Sequence, residues 1–302
     1  MPEQYKFACQ ACGQHIAYLE EHSGKTVTCP ACQASLVVPV VETSPLIVVP
    51  VRRRLPKAPI SQPDRKTWLN MGAGLFLAVV VTFVPLLSWI FNFLSTIVHE
   101  LGHWLVRLFF AYPALPAFDF GEGGVTISFS RMWLMLLIIY GIWILQLWRN
   151  RHNRKALVVL GTLLGVYVVM AHTGIDKAVA LCAGHATELL IAGVFLYRAW
   201  SASAILVPLE RPLYAAVGFY MTGIQLAFAW EVLSDAEARS AYIHRENVVN
   251  DFIRLRDQLG LPLNLPLALV LIVAGSLPVL SFLAFRYQAW WQREFKRVVR
   301  WG

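Results

Sequence analysis

Charge is scarce in this chain. Asp, Glu, Lys and Arg make up 15% of its 302 residues, whereas a soluble globular chain carries about 25%. Hydrophobic residues reach 57% and gather in long runs. Together these exclude an ordinary soluble domain and predict an integral, multi-pass membrane protein. Acid is scarcer still than base, 18 residues against 26, for a net charge of +8. That surplus does not point to nucleic acid. The basic residues sit beside apolar runs, at Arg52-Arg53-Arg54, Arg65-Lys66, Arg149 to Lys155 and Arg286 to Arg300. Cytoplasmic membrane flanks have that pattern. Their partner is expected to be the lipid bilayer.

Cysteine is also sparse, and its placement is uneven. Of five, Cys9, Cys12, Cys29 and Cys32 fall in the first 32 residues as two C-x-x-C pairs, and Cys182 stands alone. The first residues are polar and then cysteine-rich, unlike a secretory leader. A cytosolic, reduced module is therefore expected, with a redox dithiol pair or disulfides as the other readings of this spacing. The stretch "FACQACGQHIAYLEEHSGKTVTCPACQASLVVP" reads as two similar half-units, each with its pair in a turn between short strands. About 39 residues cannot build an adequate core alone. A tetrahedral zinc on four thiolates supplies the staple. The stretch resembles a zinc ribbon over residues 1–39, with Gln33 where glycine is usual. His15 and His22 read as surface residues, and a cytosolic protein is the candidate partner of this module.

Residues 40–67 read as a linker, because prolines at 45, 50, 56, 59 and 63 block helix and central strand. Residues 68–302 form the membrane-embedded domain. About six spans are expected, at 69–91, 131–148, 156–172, 177–200, 211–232 and 263–286, each near the roughly 20 residues a bilayer needs. A seventh apolar helix, 93–112, is expected to be embedded without a full crossing. The stretch 112–130 reads as an extended strand or hairpin lying against protein. Residues 233–261 read as an amphipathic helix on the membrane surface. Six crossings place both termini, 149–155 and 198–211 in the cytoplasm.

The chemistry is concentrated in "STIVHELGHWLVRLFF", residues 95–110. Positions i and i+4 share a helix face, so His99 and His103 can present nitrogens to one metal ion. Glu100 lies beside that face, where it can take a proton from water activated by the metal. Three polar groups inside an apolar helix mark a functional site by default; a helix-packing cluster is the bland alternative.

This stretch resembles the active-site helix of the site-2 protease class of intramembrane metalloproteases, the M50 peptidase family. It is closest to the compact bacterial M50B-like branch. The resemblance covers roughly residues 69–200. It implies a catalytic zinc, His99 and His103 as ligands, Glu100 as base, cleavage of membrane proteins or peptides, and a bacterial inner-membrane location. It also predicts a third ligand, an aspartate in an L-D-G or N-P-D-G motif on a later span. Neither motif is present. Asp176 lies near a span end but in a different context. His185 and Glu188, in "LCAGHATELLIAG", are i and i+3 in mid-span and need a partner there. One of them is the expected third ligand, with the other orienting it. His244, Glu246 and Asp251 in the polar stretch are the further candidates. Cys182 reads as a packing residue. The resulting expectation is a zinc endopeptidase with one catalytic and one structural zinc. The contrasting expectation is a non-proteolytic membrane adaptor or sensor, with a structural or vestigial metal site and a partner-binding ribbon.

Overall fold

The computed structural model of the chain describes residues 4–39, 60–119, 123–203, 205–244 and 250–299. It divides into two units, 1–56 and 57–302. Most of the linker, 40–59, lies outside the described residues.

The first unit is a repeat of one small motif. Strand β1 (Gln4–Ala8) pairs antiparallel with β2 (His15–Leu19), and β3 (Thr26–Thr28) pairs with β4 (Ser35–Val37). Each hairpin turns through a C-x-x-C. In the first, the Gly13 N–H donates to the Cys9 carbonyl at 2.8 Å; in the second, the Gln33 N–H donates to Cys29 at 2.9 Å. Gly13 takes φ +76° and Gln33 φ +60°. The turn requires a left-handed residue, so glutamine adopts a conformation that glycine adopts without cost.

The second unit is helical. Helix α1 (Arg65–Phe83) starts at Asp64, whose carboxylate accepts from the Thr67 N–H at 2.8 Å. The expected span 69–91 is not one helix. Val84 is extended, and Pro85 opens α2 (Pro85–Phe109) at its first turn, where proline needs no N–H partner. The residue before a proline is pushed out of the helical region, so the chain breaks there. The helix that carries the HELGH motif therefore begins at 85 rather than 93. A two-stranded antiparallel hairpin follows, β5 (Ala114–Asp119) with β6 (Gly123–Ser128). The alternating run Val125 to Phe129 favours that extended form.

Helices α3 (Trp133–Arg149), α4 (Arg154–His172), α5 (Ile175–Ser201), α6 (Glu210–Ser234), α7 (Ala236–Ile243), α8 (Asp251–Leu259), α9 (Asn264–Arg286) and α10 (Gln288–Val299) complete the unit. Among the described residues five helices, α1, α4, α5, α6 and α9, are long and apolar enough to cross a membrane; α3 is apolar but has 17 residues. Large apolar side chains point outward on α3 and α4, including Leu134, Leu137, Ile144 and Val158. In water that surface would be untenable; against lipid it is ordinary. The fold is that of a helical membrane protein.

The expected surface helix over 233–261 is corrected. That segment forms two short helices, and α8 buries Phe252, Ile253 and Leu255 against Leu181, Leu189, Ala229 and Leu267 of the bundle. Its apolar face meets protein, not lipid.

Hydrogen bonds define two ends of the bundle. At one end Arg131 donates to the Ala171 carbonyl and to Asp176, both at 2.7 Å. This gathers the loops before α3 and after α4. At the other end Arg211 donates to Thr67, Ala199 and Trp200, and the Ser61 N–H donates to Arg286. Because α3 leaves the first end and α4 returns to it, the 150–153 turn also belongs to the second. Arg65, Lys66, Arg149, Arg151, Arg154, Lys155, Arg198, Arg211 and Arg286 therefore share one end.

Candidate metal centre

Helix α2 carries a polar stripe at i+4 spacing: Ser95, His99, His103 and Arg107. The stripe faces α5, which closes in at Gly184. A Cβ there would run into both imidazole rings, so only glycine lets the two helices meet at this depth. The sequence repeats i+4 polar residues on one face, and the bundle buries that face; His103 is buried and His99 half-buried.

Each imidazole is oriented from behind. The His103 Nδ1–H donates to the Ala180 carbonyl at 2.6 Å, and the His99 Nδ1–H donates to Glu188 Oε2 at 3.0 Å. Carbonyl and carboxylate only accept, so each Nδ1 carries a proton, and in the neutral imidazoles both Nε2 atoms present lone pairs. Those two nitrogens lie 3.0 Å apart. Asp251, the first residue of α8, brings Oδ2 to 3.0 Å from His103 Nε2 and 3.2 Å from His99 Nε2. With neutral imidazoles three acceptors converge, an arrangement that a cation would satisfy. Ligands about 2.0–2.1 Å from a tetrahedral zinc stand roughly 3.3–3.4 Å from one another, and the observed triangle is close to that size.

This geometry favours the Asp251 candidate over the expected third ligand. Asp251, not His185 or Glu188, forms a group with both HELGH histidines within 4.8 Å. A second group, His99, His185 and Glu188, also falls within 4.8 Å, but its members are otherwise engaged. Glu188 accepts from Ser95 at 2.5 Å and from Gln225 at 2.5 Å, besides His99. The His185 Nδ1–H donates to Gln225 Oε1 at 2.9 Å. Its ring packs against Phe228, centroid 5.0 Å away, and Phe252, 4.7 Å away. Glu188 orients a candidate ligand, and His185 supports Gln225 and the root of α8. Asp176 is spent on Arg131 and on the Tyr112 hydroxyl, 2.8 Å away. His244 is exposed at the end of α7, and Glu246 lies outside the described residues. Ser95, Thr126 and Gln225 were not expected from the sequence, although the i+4 stripe on α2 flags the first of them.

Glu100 lines the same cleft and is held from the hairpin. Its Oε2 accepts from the Thr126 hydroxyl of β6 at 2.6 Å. Gly124 lies so close to Glu100 that a Cβ would strike its side chain. The hairpin thus holds the carboxylate from one side while α5 backs the histidines. All of these groups line one cleft of about 940 Å³.

The second candidate metal cluster is the ribbon. Cys9 Sγ lies 3.7 Å from Cys32 Sγ, and Cys12 Sγ lies 3.7 Å from Cys29 Sγ. A disulfide would hold two sulfurs about 2.05 Å apart; all four thiols are free. Thiolates about 2.3 Å from a tetrahedral zinc stand about 3.8 Å apart, so the set fits one ion.

No family model, curated protein or solved structure matches this chain.

Proposed function

We propose that this chain is a zinc-dependent intramembrane endopeptidase that hydrolyses peptide bonds of membrane proteins or membrane-associated peptides. The observation that carries the reading is the triangle of His99, His103 and Asp251 with Glu100 held beside it. A purely structural site has no use for a carboxylate base next to an open cleft. Zinc, when bound, supplies Lewis acidity toward a carbonyl and acidifies water. His99, His103 and Asp251 hold it, and Glu188 and the Ala180 carbonyl fix the imidazole orientations. Glu100 takes a proton from the attacking water at its carboxylate and delivers it to the leaving amine nitrogen. The Thr126 hydroxyl keeps that carboxylate aimed. Each strand of the β5–β6 hairpin pairs only with the other among the described residues, so an extended substrate can add to a free edge near Glu100.

The same reading sets the protein in its membrane. Counting α3 as a span and α1–α2 as one crossing gives six crossings. The shared basic end then lies in the cytoplasm with both termini, in a bacterial inner membrane. The ribbon carries a structural zinc and faces the cytosol, where it meets a protein partner.

The test compares wild type with Glu100→Gln against co-expressed membrane substrates. Loss of a positioned base lowers turnover by about 10²–10⁴-fold, with zinc content unchanged. Identical cleavage products from both, at equal zinc content, would end the peptidase reading.

A further inference from the structure

Two arginines in the cleft are not used by this chemistry. Arg107 follows His103 by one turn on α2, and Arg254 follows Asp251 by one turn on α8. Each helix that supplies a corner of the triangle thus supplies a guanidinium one turn further along, and both line the cleft. Neither has a carboxylate partner within ion-pair distance among the described residues. Arg107 donates through Nη1 to the Ser128 hydroxyl at 3.0 Å, while its Nε is buried with no partner. Arg254 has no side-chain hydrogen bond among the described residues.

Charge sharpens the point. Among the described residues the cleft holds three carboxylates, Glu100, Glu188 and Asp251, and these two guanidiniums. A divalent ion offsets two of the carboxylates, and the third balances one guanidinium. One cation is left over, and half-buried guanidiniums without anions are costly. An anionic group from outside removes that cost and gains charge-assisted, fork-shaped hydrogen bonds.

We propose that Arg107 and Arg254 form a carboxylate-binding subsite that selects an acidic side chain about two residues from the scissile bond of an extended substrate. Four helical residues from His103 to Arg107 rise about 6 Å. Two residues of extended chain cover about 6.6–6.8 Å, and residues i and i+2 face the same way. An acidic side chain at that spacing reaches the guanidiniums when the intervening carbonyl is at the triangle. This inference rests on the peptidase reading of the same cleft. A phospholipid phosphate offers the same anionic oxygens, so the experiment separates the two sources.

The experiment measures binding, not turnover. Two peptidyl hydroxamates are compared on the zinc-loaded, full-length protein in a neutral detergent, differing only in Glu or Gln two residues from the hydroxamate. The Glu probe is expected to bind at least about tenfold more tightly, the scale of one charge-assisted contact. The gap closes in Arg107→Gln and in Arg254→Gln, while affinity for the Gln probe stays within about twofold of wild type. Arg254→Gln removes no side-chain hydrogen bond seen among the described residues, so it reports even if Arg107→Gln folds poorly. Equal binding of the two probes by wild type, or a gap that survives Arg254→Gln, overturns the subsite. A gap abolished by adding phosphatidylglycerol to the micelles also overturns it, assigning the guanidiniums to lipid phosphate. Failure of both probes to bind in a zinc-dependent way is a different result: it removes the peptidase reading, and this subsite with it.

Discussion

The two candidate metal clusters are built in opposite ways. In the ribbon the outermost pair, Cys9 and Cys32, is 23 residues apart, and each pair occupies one tight turn. In the membrane unit His99 and Asp251 are 152 residues apart, and three helices and a hairpin must pack before the corner closes. The first cluster is prepared by local backbone geometry. The second is prepared by tertiary packing, with Asp251 at the root of a short helix held by its buried face and by the Asn250 amide, which donates to the Tyr242 carbonyl at 2.7 Å. A site of the second kind is open to tuning by anything that shifts α8.

The sharpest way to break that comparison is Asp251→Ala. It is expected to lower zinc content from two ions per chain to one, with the ribbon still loaded; Cys29→Ser loses the other ion. Metal analysis of each purified variant reads this directly. Two ions retained in Asp251→Ala would mean that the His99, His185 and Glu188 group holds the ion instead.

Glu188→Gln comes next in size. The amide would turn an N–H toward one of three donors, Ser95, Gln225 or His99. Loss of such an orienting partner costs about 10–100-fold in metal affinity. Competition with a chromophoric chelator measures it at the membrane centre, with the ribbon ion as an internal standard. An unchanged affinity would show that the carboxylate only packs.

How much of this was legible in the sequence follows from the same contrast. The four cysteines, the HELGH pair and the hairpin are local patterns, of C-x-x-C spacing, of i and i+4, and of alternation from Val125 to Phe129. Each is visible because the residues that act together are neighbours in the chain. The break at Val84 was also written there, in Pro85, but an unbroken apolar run concealed it. Asp251 was only one of several polar candidates. Hydrophobic periodicity says that α8 has an apolar face, not what covers it, and lipid and protein look alike to a Leu or Phe. Its burial against α5 and α9 is a tertiary fact. His185 and Glu188 were noticed for a sound reason, since buried polar groups need partners. Among the described residues, their side chains are engaged by Gln225, Ser95 and His99.

A smaller effect concerns protons at the ribbon. The N–H groups of Cys32 and then Ala31 hold the Cys29 thiol down at about 7, from an ordinary 9.0. At Cys12 the Gln14 N–H pulls the thiol down, but the Cys32 thiol and its neighbours push it up to about 12 overall. In the metal-free fold, the depressed Cys29 value stabilises above its ordinary pKa, and that contribution fades as pH falls through about 7. Binding zinc releases whatever protons the thiols still carry. The logarithm of ribbon affinity is therefore expected to rise with pH, with a slope about one proton steeper below pH 7 than above it. Titrations on Asp251→Ala, where only the ribbon binds, would read the change. A constant slope through that window would deny Cys29 its special state.

The last test uses the ribbon's internal repeat, since its two turns share the same backbone hydrogen bonds but place different residues at the left-handed position. Gly13 and Gln33 both take positive φ, +76° and +60°, and both N–H groups donate back to the first cysteine of their pair. A left-handed non-glycine residue costs roughly 1–2 kcal/mol. Glycine pays part of this back, because it loses more freedom on folding. Gln33→Gly is thus expected to stabilise the ribbon by about 1 kcal/mol, and Gly13→Gln to destabilise it by a similar amount. Denaturation of the zinc-loaded full chain, followed through hydrogen exchange of the ribbon amides, separates this from the membrane unit. The opposite sign for Gln33→Gly would mean that the glutamine side chain makes up for its backbone, and that the two halves of the repeat are not held by the same forces.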